Sequence, residues 1–274
     1  MCELFAISSN HPTNVTFSLA EFSKHGGLTG PHKDGWGIAF YADKDAQIVK
    51  EANSASNSQC LKFVRNHHIE SKYVISHIRR ATQGEVTLEN TQPFCRELGG
   101  CMHVFAHNGD LHGITADKNL KHSIAHPMGN TDSEYAFCGL MDLLSELWNA
   151  NTVPSIEDRI NLVVYFSSLI RPYGPANFIY SDSELLFAHG HKRTHNNEKE
   201  FRPPGLQILS RACLIDIKNK PNIVGLDIQS NQTEQKVILV ASVPLSMESW
   251  EPFDEGELVV LKEGAIIKSV KHAS

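Results

Sequence analysis

The chain lacks the features that would send it to a membrane or to a nucleic acid. None of its apolar runs approaches the roughly 18 residues that a membrane-spanning helix needs. Its start has neither the charged region nor the long apolar region of a secretory signal. Position 2 is Cys rather than the Gly that myristoylation requires, so a cytoplasmic protein is expected. Lys and Arg number 25 against 31 Asp and Glu, interspersed, for a net charge of −6. That leaves no basic footprint for nucleic acid and no polybasic surface for anionic lipid; a small-molecule substrate fits better. Cysteine is sparse and scattered: Cys2, Cys60, Cys95, Cys101, Cys138 and Cys213 include no Cys-x-x-Cys pair and make no disulfide framework. Cys138 and Cys213 sit in apolar runs and read as buried small hydrophobes. Fifteen histidines suggest metal, but Cys101, His103 and His107 are spread over about 20 Å of extended chain and cannot converge on one ion. No metal and no cofactor are expected. The Gly-rich stretch His25 to His32 is not followed by Gly-Lys-Ser/Thr, so it is no phosphate loop. It reads as a mobile flap or a plain surface loop.

What is present is enough for a sizeable core. At 274 residues and 41% hydrophobic, one domain spanning 1–274 is expected. Leu4 to Ser8, Gly37 to Tyr41, Gln47 to Lys50, Tyr73 to Arg79 and Met102 to His107 have the short apolar character of strands. Two helices follow. The first starts at Thr131 with Glu134 completing a capping box and carries apolar residues to Leu147 and Trp148. The second runs from Ser155 to Ile170 and is stopped by Pro172 and Gly174. Then come strands again, with Asn177 to Tyr180 and Glu184 to His189 as a hairpin over Ser181-Asp182, followed by Lys236 to Ser242, Glu257 to Leu261 and Ala265 to Val270. The polar segment His191 to Pro204 reads as a surface excursion or as a wall of the leaving-group side of a site.

Cys2 is the residue with the most chemistry. Removal of Met1 would leave a thiol and a free α-amine on one residue. The amine's ordinary pKa, about 7.7 to 8.0, lies close to the thiol's, about 8.5, so nucleophile and base could be a single amino acid. Downstream, Arg79 offers a fixed cation for an α-carboxylate and Asp132 a fixed anion for an α-ammonium, the two charges of a glutamyl head group. Taken alone each has a plainer reading: Arg79 and Arg80 as surface charges, Asp132 as a helix-terminal acid, Asn108-Gly109 as a hairpin turn.

Their order along the chain decides. Met1-Cys2, Ser76-His77-Ile78-Arg79-Arg80-Ala81-Thr82, Asn90-Thr91-Gln92-Pro93-Phe94, Ala106-His107-Asn108-Gly109-Asp110-Leu111 and Asn130-Thr131-Asp132-Ser133-Glu134 together resemble the class II glutamine amidotransferases, which are N-terminal nucleophile (Ntn) hydrolases. Asp34-Gly35-Trp36-Gly37 and Ala241-Ser242-Val243-Pro244-Leu245 look like the stand-alone, YafJ-type branch. The resemblance implies an α+β fold, a four-layer αββα sandwich of two stacked, mainly antiparallel sheets. It implies catalysis by Cys2, with the Asn108 side chain and the Gly109 N–H as oxyanion donors, and substrate binding by Arg79, Thr82 and Asp132. The chemistry implied is hydrolysis of glutamine or a γ-glutamyl compound through a Cys2 thioester, releasing ammonia or an amine, with a separate ammonia-acceptor protein as a conceivable partner. Gln92 stands where many relatives carry His, which puts local loop or substrate contacts in question. The alternatives are another Cys-type Ntn amidase, acting on bile-salt or penicillin amides, or a non-catalytic binding or scaffold protein that keeps the fold.

Overall fold

The two faces of one strand explain the architecture. Strand β1 (Glu3–Asn14) sends Phe5 and Ile7 to one side and Leu4 and Ala6 to the other, and both sets are buried. A strand buried on both faces must lie between two layers. The computed structural model describes residues 1–14, 16–67, 69–148, 152–195, 200–216 and 232–271, and it shows those layers.

Seven strands form one antiparallel sheet. In spatial order they are β11 (Glu251–Pro252), β9 (Gln207–Asp216), β10 (Gln232–Ala241), β1, β4 (Glu70–Ile78), β2 (Trp36–Ala42) and β3 (Asp45–Glu51). Six more form the second, in the order β13 (Ala265–Val270), β12 (Glu257–Lys262), β8 (Leu186–Gly190), β7 (Ala176–Ser181), β6 (Cys101–Gly109) and β5 (Phe94–Leu98). Leu4, Ala6, Ala39, Ile75 and Val240 of the first sheet meet Val104, Ala106, Ile179, Ala188 and Val259 of the second in an apolar layer between them. Outside the first sheet, α1 (Thr16–His25) and α2 (Gln59–Asn66) cover Phe5, Trp36 and Ile38 with Leu19, Phe22, Leu61 and Val64. Outside the second, α3 (Asp132–Ser145) and α4 (Ile156–Ile170) cover Phe105, Phe178 and Phe187 with Phe137, Leu140 and Phe166. This is the expected αββα sandwich.

Several details differ from the sequence expectations, each for a local reason. β1 runs past Ser8 to Asn14 across a register shift between Ser8 and Thr13. Arg79 stands just beyond β4 rather than inside it. The capping box on α3 is half made: Thr131 accepts from the Glu134 N–H, but the Glu134 carboxylate accepts from Gly129 N and pairs with Arg96. α3 ends at Ser145, and Leu147 and Trp148 follow in a tighter turn whose N–H groups both reach the Leu144 carbonyl. The β7–β8 connection spans 182–185 rather than Ser181-Asp182, because the Asp182 carboxylate accepts from the Glu184 and Leu185 N–H groups and caps the turn. Cys138 is buried as expected, while the Cys213 side chain lies outside the described ones.

That turn carries a buried charge network. Arg159 of α4, 2% exposed, donates to Asp182 (3.0 Å) and Glu184 (2.8 Å), and Lys262 pairs with the other Glu184 oxygen (2.7 Å). Burial pushes the Asp182 carboxyl above its ordinary value even though Arg159 pulls it back. Removing one partner leaves a buried charge without compensation, so Arg159→Ala is expected to cost about 3–5 kcal/mol. Urea denaturation of the variant beside the parent checks it; a loss under about 1 kcal/mol, the range of an exposed pair, would show that solvent reaches the network.

Candidate active site

Residue alternation carries a polar cluster into one end of the inter-sheet layer. Cys2 has the parity of Leu4 and Ala6; His77, of Tyr73 and Ile75; Asn108, of Val104 and Ala106; Asn177, of Ile179; Ser242, of Ile238 and Val240. His77, Asn108, Asn177 and Ser242 are all buried. The apolar layer thus ends in side chains able to bind, donate and attack.

Cys2 is half-buried, one residue before β1. Its Sγ accepts from the Arg80 N–H (3.3 Å) and donates to the Arg80 carbonyl (3.4 Å). The 79–81 backbone is itself pinned by the Asp-Gly stretch: Arg79 N–H donates to Gly35 O, Asp34 N–H to Arg79 O, and Ala81 N–H to the Asp34 carboxylate (2.8 Å). Gly37 is required there, since a Cβ would stand 2.3 Å from the Gln92 carbonyl. Burial pushes the Cys2 thiol above its ordinary pKa, against the pull of the Arg80 N–H, the nearby amine and Arg79. Burial lowers the Met1 amine, aided by Arg80 and Arg193. His77 is pushed down to about 3 by burial and the adjacent Arg79 charge, so it is a neutral ring.

The other sequence-predicted residues converge on the same place. Cys2, Arg79, Thr82, Gly109 and Asp132 line one cavity, together with Gln83, Gln92, His107 and Ser133. Asn108 lies just behind it, fully buried. Asn108 and Gly109 are not a hairpin turn; they are the last residues of β6, paired with Asn177 and Ala176. At Gly109 a Cβ would meet the Pro175 carbonyl at 1.6 Å, so only Gly fits. Asp132, at the start of α3, accepts from Leu111 N–H (2.6 Å) and Ser133 N–H (2.8 Å). Arg79 is 3% exposed, and its terminal nitrogens are engaged: Nη1 donates to Glu85 O (2.8 Å), Nη2 to Gln83 O (3.0 Å) and Gly84 O (3.3 Å). The 83–85 turn is therefore folded over the cation. Gln83 Nε2 donates to Asp110 (2.8 Å), with Thr82 at 3.4 Å from the same oxygen.

The cavity measures about 20 Å³, room for about one water. A second cavity of about 300 Å³ shares Gln83, Thr131 and Asp132 as walls and continues past Tyr135 and Ile114. A roomier cavity, about 520 Å³, lies around Tyr41, Tyr73 and Glu184 and shares no wall with Cys2.

Several site residues carried no assigned role in the sequence. Gln92 accepts from the His107 N–H at 2.6 Å and so holds the strand entering Asn108. His107, whose basicity burial lowers, faces the Pro175 carbonyl with Nε2 (3.2 Å) and Ser133 Oγ with Nδ1 (2.9 Å); a carbonyl only accepts, so Nε2 carries a proton. Asn90 ties both loops together, through Asn130 and the Glu85 carbonyl. The two loops singled out in the sequence meet at Met1: His32 Nε2 binds its carbonyl (2.7 Å) and Thr194 N–H its Sδ (3.3 Å). Among the described residues no group of three His, Cys, Asp or Glu could hold a metal ion, and no helix is long and apolar enough to cross a membrane.

Comparison with known proteins shows the family. The family model of class-II glutamine amidotransferases matches residues 1–274. An Escherichia coli (strain K12) protein named as a glutamine amidotransferase, YafJ, is 36% identical over 259 residues, covering 94% of this chain and 96% of its own length. A Haemophilus influenzae glutamine amidotransferase is 34% identical over 274 residues, covering 98% and 87%. A crystal structure of a Pseudomonas aeruginosa glutamine amidotransferase superposes with a TM-score of 0.66 at 28% identity, over 97% of this chain and all of that one. The Bacillus subtilis glutamine phosphoribosylpyrophosphate amidotransferase shares the fold, with a TM-score of 0.60 at 16% identity over 98% of this chain and 49% of that one. The chain belongs to the class II glutamine amidotransferases, enzymes that act on the side-chain amide of glutamine.

Proposed function

We propose that this enzyme hydrolyses the side-chain amide of glutamine, or of a γ-glutamyl compound, through a thioester on Cys2. The observation that carries the reading is the shared cavity: a thiol, a cation, a carboxylate and a backbone glycine open onto one space at the end of the inter-sheet layer. Removal of Met1 frees the Cys2 amine, which takes the thiol proton. The thiolate attacks the amide carbon, and the carbonyl oxygen becomes an oxyanion between the Asn108 carboxamide and the Gly109 N–H. Collapse breaks the C–N bond, and the amine's proton leaves with ammonia or the departing amine. Water then attacks the thioester, returns a proton to the thiolate and releases glutamate. Asp132 holds the α-ammonium, and Arg79 with Thr82 holds the α-carboxylate.

Three Arg79 hydrogen bonds go to the 83–85 carbonyls, and a guanidinium has five N–H donors, so a glutamyl carboxylate meets the remaining N–H groups or displaces part of this turn.

Labelling with a glutamine-mimicking chloroketone is expected to add its mass at Cys2 alone; an unlabelled Cys2 in protein lacking Met1 would remove the thioester reading and favour a binding role. Cys2→Ala is expected to abolish turnover and keep glutamate binding. Asn108→Ala is expected to lower kcat by about 100-fold to 1000-fold with little change in KM, because its donor meets charge that exists only in the transition state. Asp132→Ala should instead weaken binding by about 1.5–3 kcal/mol, the scale of a charged hydrogen bond.

The pH profile follows from the amine. Burial and two neighbouring arginines lower the Met1 amine, and the same direction is expected of the Cys2 amine, one residue further in, once Met1 is removed. The acid limb of kcat/KM is expected to fall with a midpoint below about 7.7, the ordinary α-amine value. A cleavable upstream extension gives the comparison: uncleaved protein should be inactive, and full activity before cleavage would rule out the amine as base.

The leaving group is read from kcat/KM for glutamine beside a γ-glutamyl dipeptide and glutathione. The expected result is turnover of all three, through a site open on the amide side. A preference for glutamine of 100-fold or more would mean an enclosed site and an ammonia-accepting partner protein.

A further inference from the structure

The Ala241-Ser242-Val243-Pro244 stretch has a sequence signature but no role in the chemistry above. Ser242 follows β10 directly and is 3% exposed. It brackets Leu4, two residues from Cys2: its N–H donates to the Leu4 carbonyl (3.0 Å), and its Oγ accepts from the Leu4 N–H (2.9 Å). Its own carbonyl is held by Arg193 Nη1. The same Oγ lies 3.3 Å from the Asn108 carboxamide nitrogen.

As placed, this arrangement leaves two groups unpaired. The hydroxyl accepts twice, from Leu4 and from Asn108, and its proton has no acceptor among the described residues. Asn108 Oδ1, fully buried, has no donor. The oxygen and nitrogen of a carboxamide are told apart by the network around them rather than by shape. Turning the Asn108 carboxamide by half a revolution pairs both orphans in one bond, Ser242 O–H to Asn108 Oδ1. It also turns the NH₂ group away from Ser242, and a donor so turned suits an oxyanion that appears only during reaction. The Asn108 backbone cannot follow the turn, since its carbonyl is held by Asn177 Nδ2 (3.0 Å) and its strand by the β7 ladder.

We infer that Ser242 is the positioning residue of the oxyanion site: its hydroxyl donates to Asn108 Oδ1 and thereby aims Asn108 Nδ2 at the carbonyl oxygen attacked by Cys2. The inference rests on the reading of Asn108 as an oxyanion donor. Because Leu4 and Asn108 share one hydroxyl, Ser242 also fixes the distance between the strand bearing the nucleophile and the strand bearing the donor.

Kinetics of Ser242→Ala, Ser242→Thr, Asn108→Ala and the Ser242→Ala/Asn108→Ala double variant test it, each with a thermal melt. Ser242→Ala is expected to lose about tenfold or more in kcat for glutamine, with KM within about twofold. Ser242→Thr, which keeps the hydroxyl, should recover most of that loss. Should Ser242→Ala not fold, Ser242→Cys, of similar volume but a weak donor, takes its place with the same expected loss. The double variant should be no slower than Asn108→Ala alone, because a residue acting through Asn108 has nothing left to position. A purely structural Ser242 would multiply the two losses, and that outcome overturns the inference. So does a parent-like kcat in Ser242→Ala when Asn108→Ala is slow. A normal kcat in Asn108→Ala would instead sink the oxyanion reading itself, and this inference with it. A crystal structure at about 1.2 Å resolution or better gives a readout independent of turnover: Asn108 Oδ1 facing Ser242 Oγ is expected, and Nδ2 in that place would overturn the assignment.

Discussion

The apolar layer between the two sheets is the constraint on which the rest depends. Every strand that borders it alternates, one residue into the layer and the next toward a helix, so a one-residue slip would exchange the two faces. Leu4, Ile75, Val104, Ile179 and Val240 fill the layer, and the same parity delivers Cys2, His77, Asn108, Asn177 and Ser242 to its end. The reactive cluster is thus a continuation of the core by other residue types. Precision follows from that origin, since groups mounted on paired strands have little freedom to drift. The glycines at 37 and 109 belong to the same close approach, each facing a carbonyl that a Cβ would strike.

How far the sequence discloses this arrangement depends on whether a signal is local. The strands with strong apolar content, and the helices α3 and α4 with their Thr131 and Ser155 caps, are readable because a few consecutive residues determine them. α2 was not, since Gln59-Cys60-Leu61-Lys62-Phe63-Val64-Arg65-Asn66 buries only Leu61 and Val64 and leaves Phe63 exposed. α1 offers Leu19 and Phe22 as its deeply buried apolar pair, too little for a periodicity. β5 was hidden by Arg96 and Glu97, which an edge strand tolerates because one side faces solvent. At the site, Cys2, Arg79, Thr82, Gly109 and Asp132 were nameable as a set only through their ordered motifs, and the fold brings them to one cavity. The supporting contacts were not nameable. Gln92 to His107 spans 15 positions and Asn108 to Ser242 spans 134, and no local pattern encodes hydrogen bonds between segments so far apart.

The site is also closed in a way that sequence motifs do not convey. Arg79 would read as a free cation, yet three backbone carbonyls of residues 83–85 occupy it. A buried guanidinium cannot stand unpaired, so in the absence of a carboxylate the chain supplies its own acceptors. A guanidinium has five N–H donors, so under the proposed function a substrate carboxylate joins these carbonyls or displaces some of them.

Burial sets the last condition on the chemistry. The same loss of water acts with opposite sign on the two groups at the chain's start: it raises the Cys2 thiol and lowers the Met1 amine next to it. Both shifts favour the uncharged pair at rest, SH beside NH₂, over separated ions. A thiol so placed is a poor nucleophile by itself, and a remote base would have to create two charges across a dry gap. An amine on the same residue creates them side by side, where each stabilises the other. Under the proposed mechanism, half-buried Cys2 therefore needs no second residue brought into the layer as base, because removal of Met1 leaves the amine on the nucleophile itself.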